Sequence, residues 1–232
     1  MKRYIYETHL HTSEVSACAI TSGAESVKAY KKLGYDGIFI TDHFFNGNCA
    51  INKNLSWKDK IEAFCLGYEN AKAAAESLDF SVFFGLEFNF SGDEYLIYGV
   101  TKEWLIVHPE IMELSHAELF NLIDNEGGLV VQAHPFRERS YIKSINLHPK
   151  DVHAVEVYNA ANNKEENNKA VEYAAKHNLP GIGGSDIHDV TNIHYLSGVA
   201  FDEKLETVQD FVAKIKSNKG FVPLPPKLNL KY

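Results

Sequence analysis

Short apolar runs alternate with amphipathic stretches along the chain. Arg3–His9 predicts a strand, and Gly37–Asp42 (Gly-Ile-Phe-Ile-Thr-Asp) predicts a second with no polar interruption before its end. Between them, Ser22-Gly23-Ala24-Glu25 has the spacing of a capping box, in which Ser and Glu satisfy N–H groups left unpaired at a helix start, and Gly34 supplies the stop. From Ile61, apolar residues at Phe64, Cys65, Tyr68, Ala71, Ala75 and Leu78 keep near-helical spacing. Val82–Glu87 and Tyr95–Val100 read as strands, and Ser115–Asn125 as a helix halted by Gly127-Gly128. Leu129–Ala133 and Ala154–Tyr158 are further strands, Lys164–His177 a helix, Pro180–Gly184 extended and Ser197–Phe201 a short strand. Leu205, Val208, Phe211, Val212 and Ile215 form one face of a last helix. The tail from about Phe221 carries Pro223, Pro225 and Pro226 and is expected to run extended on the surface.

Strands alternating with helices imply an α/β layered or barrel fold with mostly parallel pairing. The strands are apolar on successive residues, as a parallel sheet covered on both faces requires. About seven strand candidates approach the eight of a full barrel. With 232 residues, no repeat and no linker, residues 1–232 are expected to form a single domain. A 45% hydrophobic, 23% charged composition excludes disorder, collagen and coiled coil. Lys plus Arg number 23 against 31 Asp plus Glu, a formal charge of −8, so neither long-duplex nucleic acid nor an anionic membrane surface is expected as a partner. Cys18, Cys49 and Cys65 form no CxxC pair and read as small apolar fillers. No run has the length of a signal peptide core or a membrane span, so a cytoplasmic location is expected.

The informative feature is what stands at the strand ends. Glu7, His9 and His11 are spaced i, i+2, i+4 and point to one side of an extended chain. His43 follows Asp42 at the end of the second strand, Glu87 ends the third, and His134 follows Leu-Val-Val-Gln-Ala. Asp186 and His188 follow Gly-Ile-Gly-Gly-Ser. Five strand ends thus deliver His, Asp or Glu to one rim, the face on which parallel α/β folds assemble their sites. His9, His11, His43, Glu87, His134, Asp186 and His188 are more ligands than one ion takes and suit two or three divalent ions, with Glu87 bridging. No thiol belongs to this set, so hydrolytic metal chemistry is expected.

Glu7-x-His9-x-His11-Thr12, Thr41-Asp42-His43, Gly85-Leu86-Glu87, Ala133-His134-Pro135 and Ser185-Asp186-x-His188 together resemble the ordered motifs of the PHP (polymerase and histidinol phosphatase) family, from about residue 4 to 188. The resemblance implies a distorted, TIM-like (β/α)7 barrel with a trinuclear zinc, manganese or iron site at the C-terminal ends of the strands, and phosphoester hydrolysis. It implies that His9, His11, Glu87 and Asp186 hold one ion, Glu87 and His134 a second, and His43 and His188 a third. The family's further His between Glu87 and His134 has no counterpart in Gly-Asp-Glu-Tyr-Leu-Ile-Tyr-Gly, where Asp93, Glu94 or water is left for the second ion. His108 and His116 fall beyond the expected strand end and are not assigned. The family's loop ligand after His11 would be Glu14. Glu7 stands where Asp is more usual, and still permits a supporting bond to a ligating His.

Arg137, three residues after His134 in a chain with few arginines, is expected to fork onto a phosphate oxygen, while Arg139 reads as a solvated loop charge. Glu156, Tyr158 and Asn159 end another strand and are expected to support the site by hydrogen bonds. The leading expectation is a metal-dependent phosphoesterase with Glu87, Asp186 and Arg137 as its working groups. Its substrate is a small phosphorylated metabolite or nucleotide, with a short oligonucleotide or phosphopeptide also compatible. Two rivals stand beside it: a metal amidohydrolase, which would ordinarily need a strand-end Lys that is absent here, and a catalytically idle metal-binding regulatory module.

Overall fold

Nine strands form one sheet in the order β7-β6-β5-β4-β3-β2-β1-β8-β9. They are β1 (Tyr4–Glu7), β2 (Gly37–Ile40), β3 (Ser81–Phe90), β4 (Asp93–Tyr98), β5 (Leu129–Gln132), β6 (Ala154–Asn159), β7 (Gly181–Gly184), β8 (Tyr195–Phe201) and β9 (Phe221–Leu228). The helices are α1 (Gly23–Leu33), α2 (Trp57–Phe64), α3 (Leu66–Ala75), α4 (Lys102–Val107), α5 (His116–Asn125), α6 (Lys164–His177) and α7 (Val208–Ser217). The computed structural model describes residues 2–140 and 142–228; the last four residues of the expected tail lie outside them. No helix among the described residues is long and apolar enough to cross a membrane.

The pairing is mixed. β1-β2, β2-β3, β5-β6 and β6-β7 are parallel, whereas β3-β4, β4-β5, β1-β8 and β8-β9 are antiparallel. The expected mostly parallel sheet thus holds for only half of the neighbours. The reason is local: Ser91 and Gly92, both at positive φ, make a two-residue turn that folds β4 back on β3. The proline-rich tail likewise becomes β9, hydrogen-bonded along β8 at the sheet's edge. One helix expected from Ile61 onward is two, α2 and α3, meeting at Cys65. β3 also runs three residues past Glu87, which therefore sits inside a strand.

Side-chain alternation explains why both sheet faces are apolar. Phe39 points inward to Tyr6, Phe83, Leu96, Tyr98, Val131, Ala154, Ile182 and Val199, while its neighbours Ile38 and Ile40 pack outward on Val27 and Tyr30 of α1. Every strand from β1 to β8 contributes to the inner set, so the sheet curls into a nearly closed barrel. Phe211 of α7 plugs one end, with ring centroids 4.5 Å from Phe39 and 4.9 Å from Tyr98. At the seam, β7 meets β8 and β9 by close packing: a Cβ on Gly183 would lie 2.6 Å from the Gly198 carbonyl oxygen and 3.0 Å from that of Leu224. The opposite rim, where the parallel strands end, carries the polar residues.

Candidate metal centre

Backbone bonds bring the motifs to one point. Past β1 the chain stays extended, and Leu10 bridges in parallel with Ile187, so His11 N donates to the Ile187 carbonyl and Asp186 N to that of His9, each at 2.9 Å. His43 bridges in parallel with Glu87 in the same way. Gly184 permits the approach: a Cβ there would lie 2.5 Å from both His9 Cβ and Glu156 Oε1. His134 and Asp186 adopt φ of 27° and 57°, left-handed values costly for residues with a side chain, and such strain concentrates at functional sites.

Glu87 is the hub. Its Oε1 lies 3.2 Å from both His9 Nε2 and His134 Nε2; its Oε2 lies 2.7 Å from His43 Nδ1 and 3.5 Å from His11 Nε2. Asp186 Oδ1 stands 3.5 Å from His9 Nε2 and 3.2 Å from His11 Nε2. The rings of His43 and His188 close the group, with His11 4.2 Å from each, centroid to centroid. Four overlapping groups have converging donor atoms: His9, His11 and Asp186; His9, Glu87 and His134; His11, His43 and His188; and His43, Glu87 and Glu94.

The supporting residues aim these donors. His9 Nδ1 lies 3.0 Å from Glu156 Oε1. Glu156 is held below the usual carboxylate range, since the nearby His9 and its hydrogen bond outweigh the upward push of burial, so it can only accept. His9 therefore keeps a proton on Nδ1, and its Nε2 is aimed at the centre. Glu156 Oε2 also accepts from His134 N at 3.0 Å. Ser16 Oγ contacts His11 Nδ1 at 3.2 Å and donates to Asp42 Oδ1 at 2.7 Å, and Asp42 is further fixed by the Thr12 N–H and hydroxyl, both at 2.6 Å. Glu7 accepts from the backbone N–H groups of His9 and Ser185 and from the Tyr30 hydroxyl; it supports the His9 backbone instead of a ring.

The centre is short of positive charge. Burial opposes ionisation of Glu87 and Asp186, yet His9 with His43, and His9 with Arg137, hold both carboxyls well below their ordinary range. In return, burial would lower His9, but Asp186, Glu156 and Glu87 hold it well above its ordinary value, and Glu87 outweighs burial to push His43 up to about 11. His11 moves the opposite way, lowered by burial and by the neighbouring His43 and His188. Glu87 Oε2 and His43 Nδ1, though close, lack hydrogen-bond alignment and are left without a partner. A buried excess of carboxylate balanced by protonated imidazoles, with orphaned donor atoms, fits divalent cations standing where those protons now do.

Seven of the eight expected ligands therefore converge. Glu14 does not: its carboxylate accepts from Gly23 N at 3.2 and 3.1 Å and from Asn70 at 3.1 Å, where the start of α1 favours negative charge. The residue of that loop near His43 and His188 is the exposed Cys18; partial burial pushes its thiol up, but the two imidazoles prevail and bring it down to about 6. Glu94 supplies a carboxylate where the family's additional His is missing, with Oε2 3.5 Å from His134 Nε2. Arg137 has partners within the protein. Its Nη2 lies 2.6 Å from Asp186 Oδ2 and donates to Asn159 at 2.9 Å, while Nε donates to Asn162 at 2.8 Å. The buried guanidinium thus holds Asp186, whose other oxygen faces His9 and His11. Arg139, expected to be solvated, pairs with Glu166 at 2.9 Å.

Residues 164–219 match the PHP-associated family. The fold is similar to that of a two-domain Bacteroides vulgatus protein containing a predicted PHP-like metal-dependent phosphoesterase (TM-score 0.73, 14% identity, 97% of this chain and 65% of that one). The chain thus joins a PHP-associated segment to a fold shared with a PHP-like protein. A second similar structure, from Bifidobacterium adolescentis, is of a protein assigned as a metal-dependent phosphoesterase (TM-score 0.56, 17% identity, 90% of this chain and 94% of that one). An uncharacterized protein of Methanocaldococcus jannaschii is 29% identical over 160 residues, 65% of each chain. The chain thus spans 65% of the length of that relative and of the Bacteroides protein.

Proposed function

We propose that this protein is a metal-dependent phosphoesterase of the PHP type acting on a small phosphorylated metabolite or nucleotide. The observation that carries the reading is Glu87: one buried carboxylate reached by four imidazoles, its two oxygens serving different sides of the cluster. His9, His11, Glu87 and Asp186 would hold one ion, Glu87, His134 and Glu94 a second, and His11, His43 and His188 a third, with zinc, manganese or iron suited to such nitrogen and oxygen donors. When bound, adjacent divalent ions supply an acidified water and charge neutralisation at phosphoryl oxygens. The chain's own residues supply the frame. Glu156 fixes the His9 tautomer, Ser16 and Asp42 brace His11, and Arg137 keeps one Asp186 oxygen occupied so that the other faces the centre. Glu94, His134 and Arg137 line a small adjoining pocket together with Ile142, Ser144, Ile145 and Asn146.

The test is turnover of p-nitrophenyl phosphate and bis(p-nitrophenyl) phosphate with Mn, Zn, Fe(II) and Mg supplied separately, comparing the native chain with Glu87→Gln. Turnover with at least one ion, abolished in the folded variant along with its bound metal, is expected. A protein that carries two or more ions and cleaves neither a monoester nor a diester would overturn the reading and favour the idle metal-binding module.

A further inference from the structure

A second group of metal-type side chains lies outside the barrel centre. Asp93, at the start of β4, is buried; its Oδ2 lies 2.7 Å from His116 Nε2 and 3.8 Å from His148 Nε2. Donor atoms of the three lie within 4.8 Å of one another. Among the described residues no lysine or arginine pairs with Asp93, whose ionic neighbours are these two imidazoles. Two imidazoles and one carboxylate, with open positions left for water, form a donor set suited to a first-row divalent ion.

The three residues come from three places: the first residue of β4, the first residue of α5, and the segment 138–151 that joins the His134 motif to β6. In that segment Asn146 donates to Asp93 Oδ1 at 3.1 Å, and its carbonyl accepts from Gln132 Nε2 at 2.8 Å. Ile142, Ser144, Ile145 and Asn146 of the same segment form a wall of the pocket beside His134, Glu94 and Arg137. Asp93 is also the chain neighbour of Glu94, which reaches the metal centre.

We propose that Asp93, His116 and His148 form a separate divalent-cation site that staples the segment 138–151 to β4 and thereby fixes one wall of the active-site pocket. The site uses none of the central ligands and stands independently of the phosphoesterase reading.

Metal-free protein is dialysed against buffered zinc, bound zinc is counted by elemental analysis, and trypsin cleavage after Arg139 and Lys143 is timed with and without zinc. His148→Ala, a change to a part-exposed loop residue, should bind one ion fewer than the native chain. Glu87→Gln should lose central ions while keeping this one. If trypsin cuts only the opened segment, zinc at 100 times its Kd should slow cleavage about 100-fold in the native chain and in Glu87→Gln. It should have no such effect in His148→Ala. His116→Ala, on the helix instead of the loop, should reproduce the loss. Equal zinc content in the native chain and both histidine variants, or zinc protection that survives in His148→Ala, would overturn the site whatever the centre does.

Discussion

Removing Arg137 tests whether its guanidinium is structural to the metal centre. The side chain is 8% exposed and contacts the Asp186 carboxylate at 2.6 Å. Deleting one member of a buried ion pair leaves the other charged and uncompensated, which costs about 3–5 kcal/mol. For a chain of this size, where 1 kcal/mol moves Tm by roughly 2–4 °C, Arg137→Ala should lower Tm by roughly 6–20 °C in metal-free protein. Asp186 would also lose the contact that occupies its Oδ2, so zinc retained after dialysis should fall. Lys at this position restores charge but not the planar donors that reach Asn159 and Asn162 together, so it should recover part of the loss. The assay is urea unfolding of Arg137→Ala, Asp186→Asn and the double variant, each stripped of metal. The double variant should be less destabilised than the sum of the singles. A loss below about 0.5 kcal/mol, typical of a surface substitution, would refute the assignment, as would strict additivity with Asp186→Asn.

Three further outcomes follow from other residues. Burial outweighs the hydrogen bonds to Glu7 and raises its carboxyl from 4.5 to about 7. The folded state therefore binds this proton more tightly; the associated stability is complete below about pH 4.5 and is lost as pH rises through 7. Glu7→Gln should gain on the native chain by up to about 3 kcal/mol between pH 4.5 and 8 in metal-free urea melts, and a difference that stays flat across that range would exclude the effect. Phe211→Ala should cost about 3–5 kcal/mol, because a fully buried ring against Phe39, Tyr98 and Phe201 leaves a cavity at the barrel's plug; a loss under 1 kcal/mol in denaturant titration would contradict that packing. The Cys18 thiol, brought down to about 6, should be alkylated by iodoacetamide faster than Cys65, whose thiol burial raises to about 12; mass mapping at pH 7 that finds equal rates would be the adverse result.

The seven converging ligands were readable because each follows an apolar run, and strand ends on one rim must meet. Glu94 and Asp93 entered only as alternatives to water at the second ion, because an expectation of mostly parallel strands draws attention to C-terminal ends. β4 runs antiparallel, which brings its first residues to the rim. The signal was present in Phe-Ser-Gly-Asp, a two-residue turn between alternating apolar stretches. His116 was set aside as lying beyond a strand end, yet α5 returns to the rim and places its first residue against Asp93. Glu14 and Cys18 lie four residues apart in one loop, and nothing in local spacing decides which faces His188; the capping demand of α1, formed from residues further along, draws Glu14 away. The partner of Arg137 is 49 positions distant in sequence, and only the folded chain pairs them.

The last strand has a consequence for how the molecule meets its own kind. An incompletely closed sheet leaves unpaired N–H and C=O groups that can recruit a strand from another molecule, the first step toward ordered aggregates. β9 occupies that frontier with Pro223, Pro225 and Pro226 in its eight residues, and none of the three has an N–H to offer. The residues that make the tail a poor ladder thus let it finish the sheet without inviting a tenth strand, and crowding should leave this border inert.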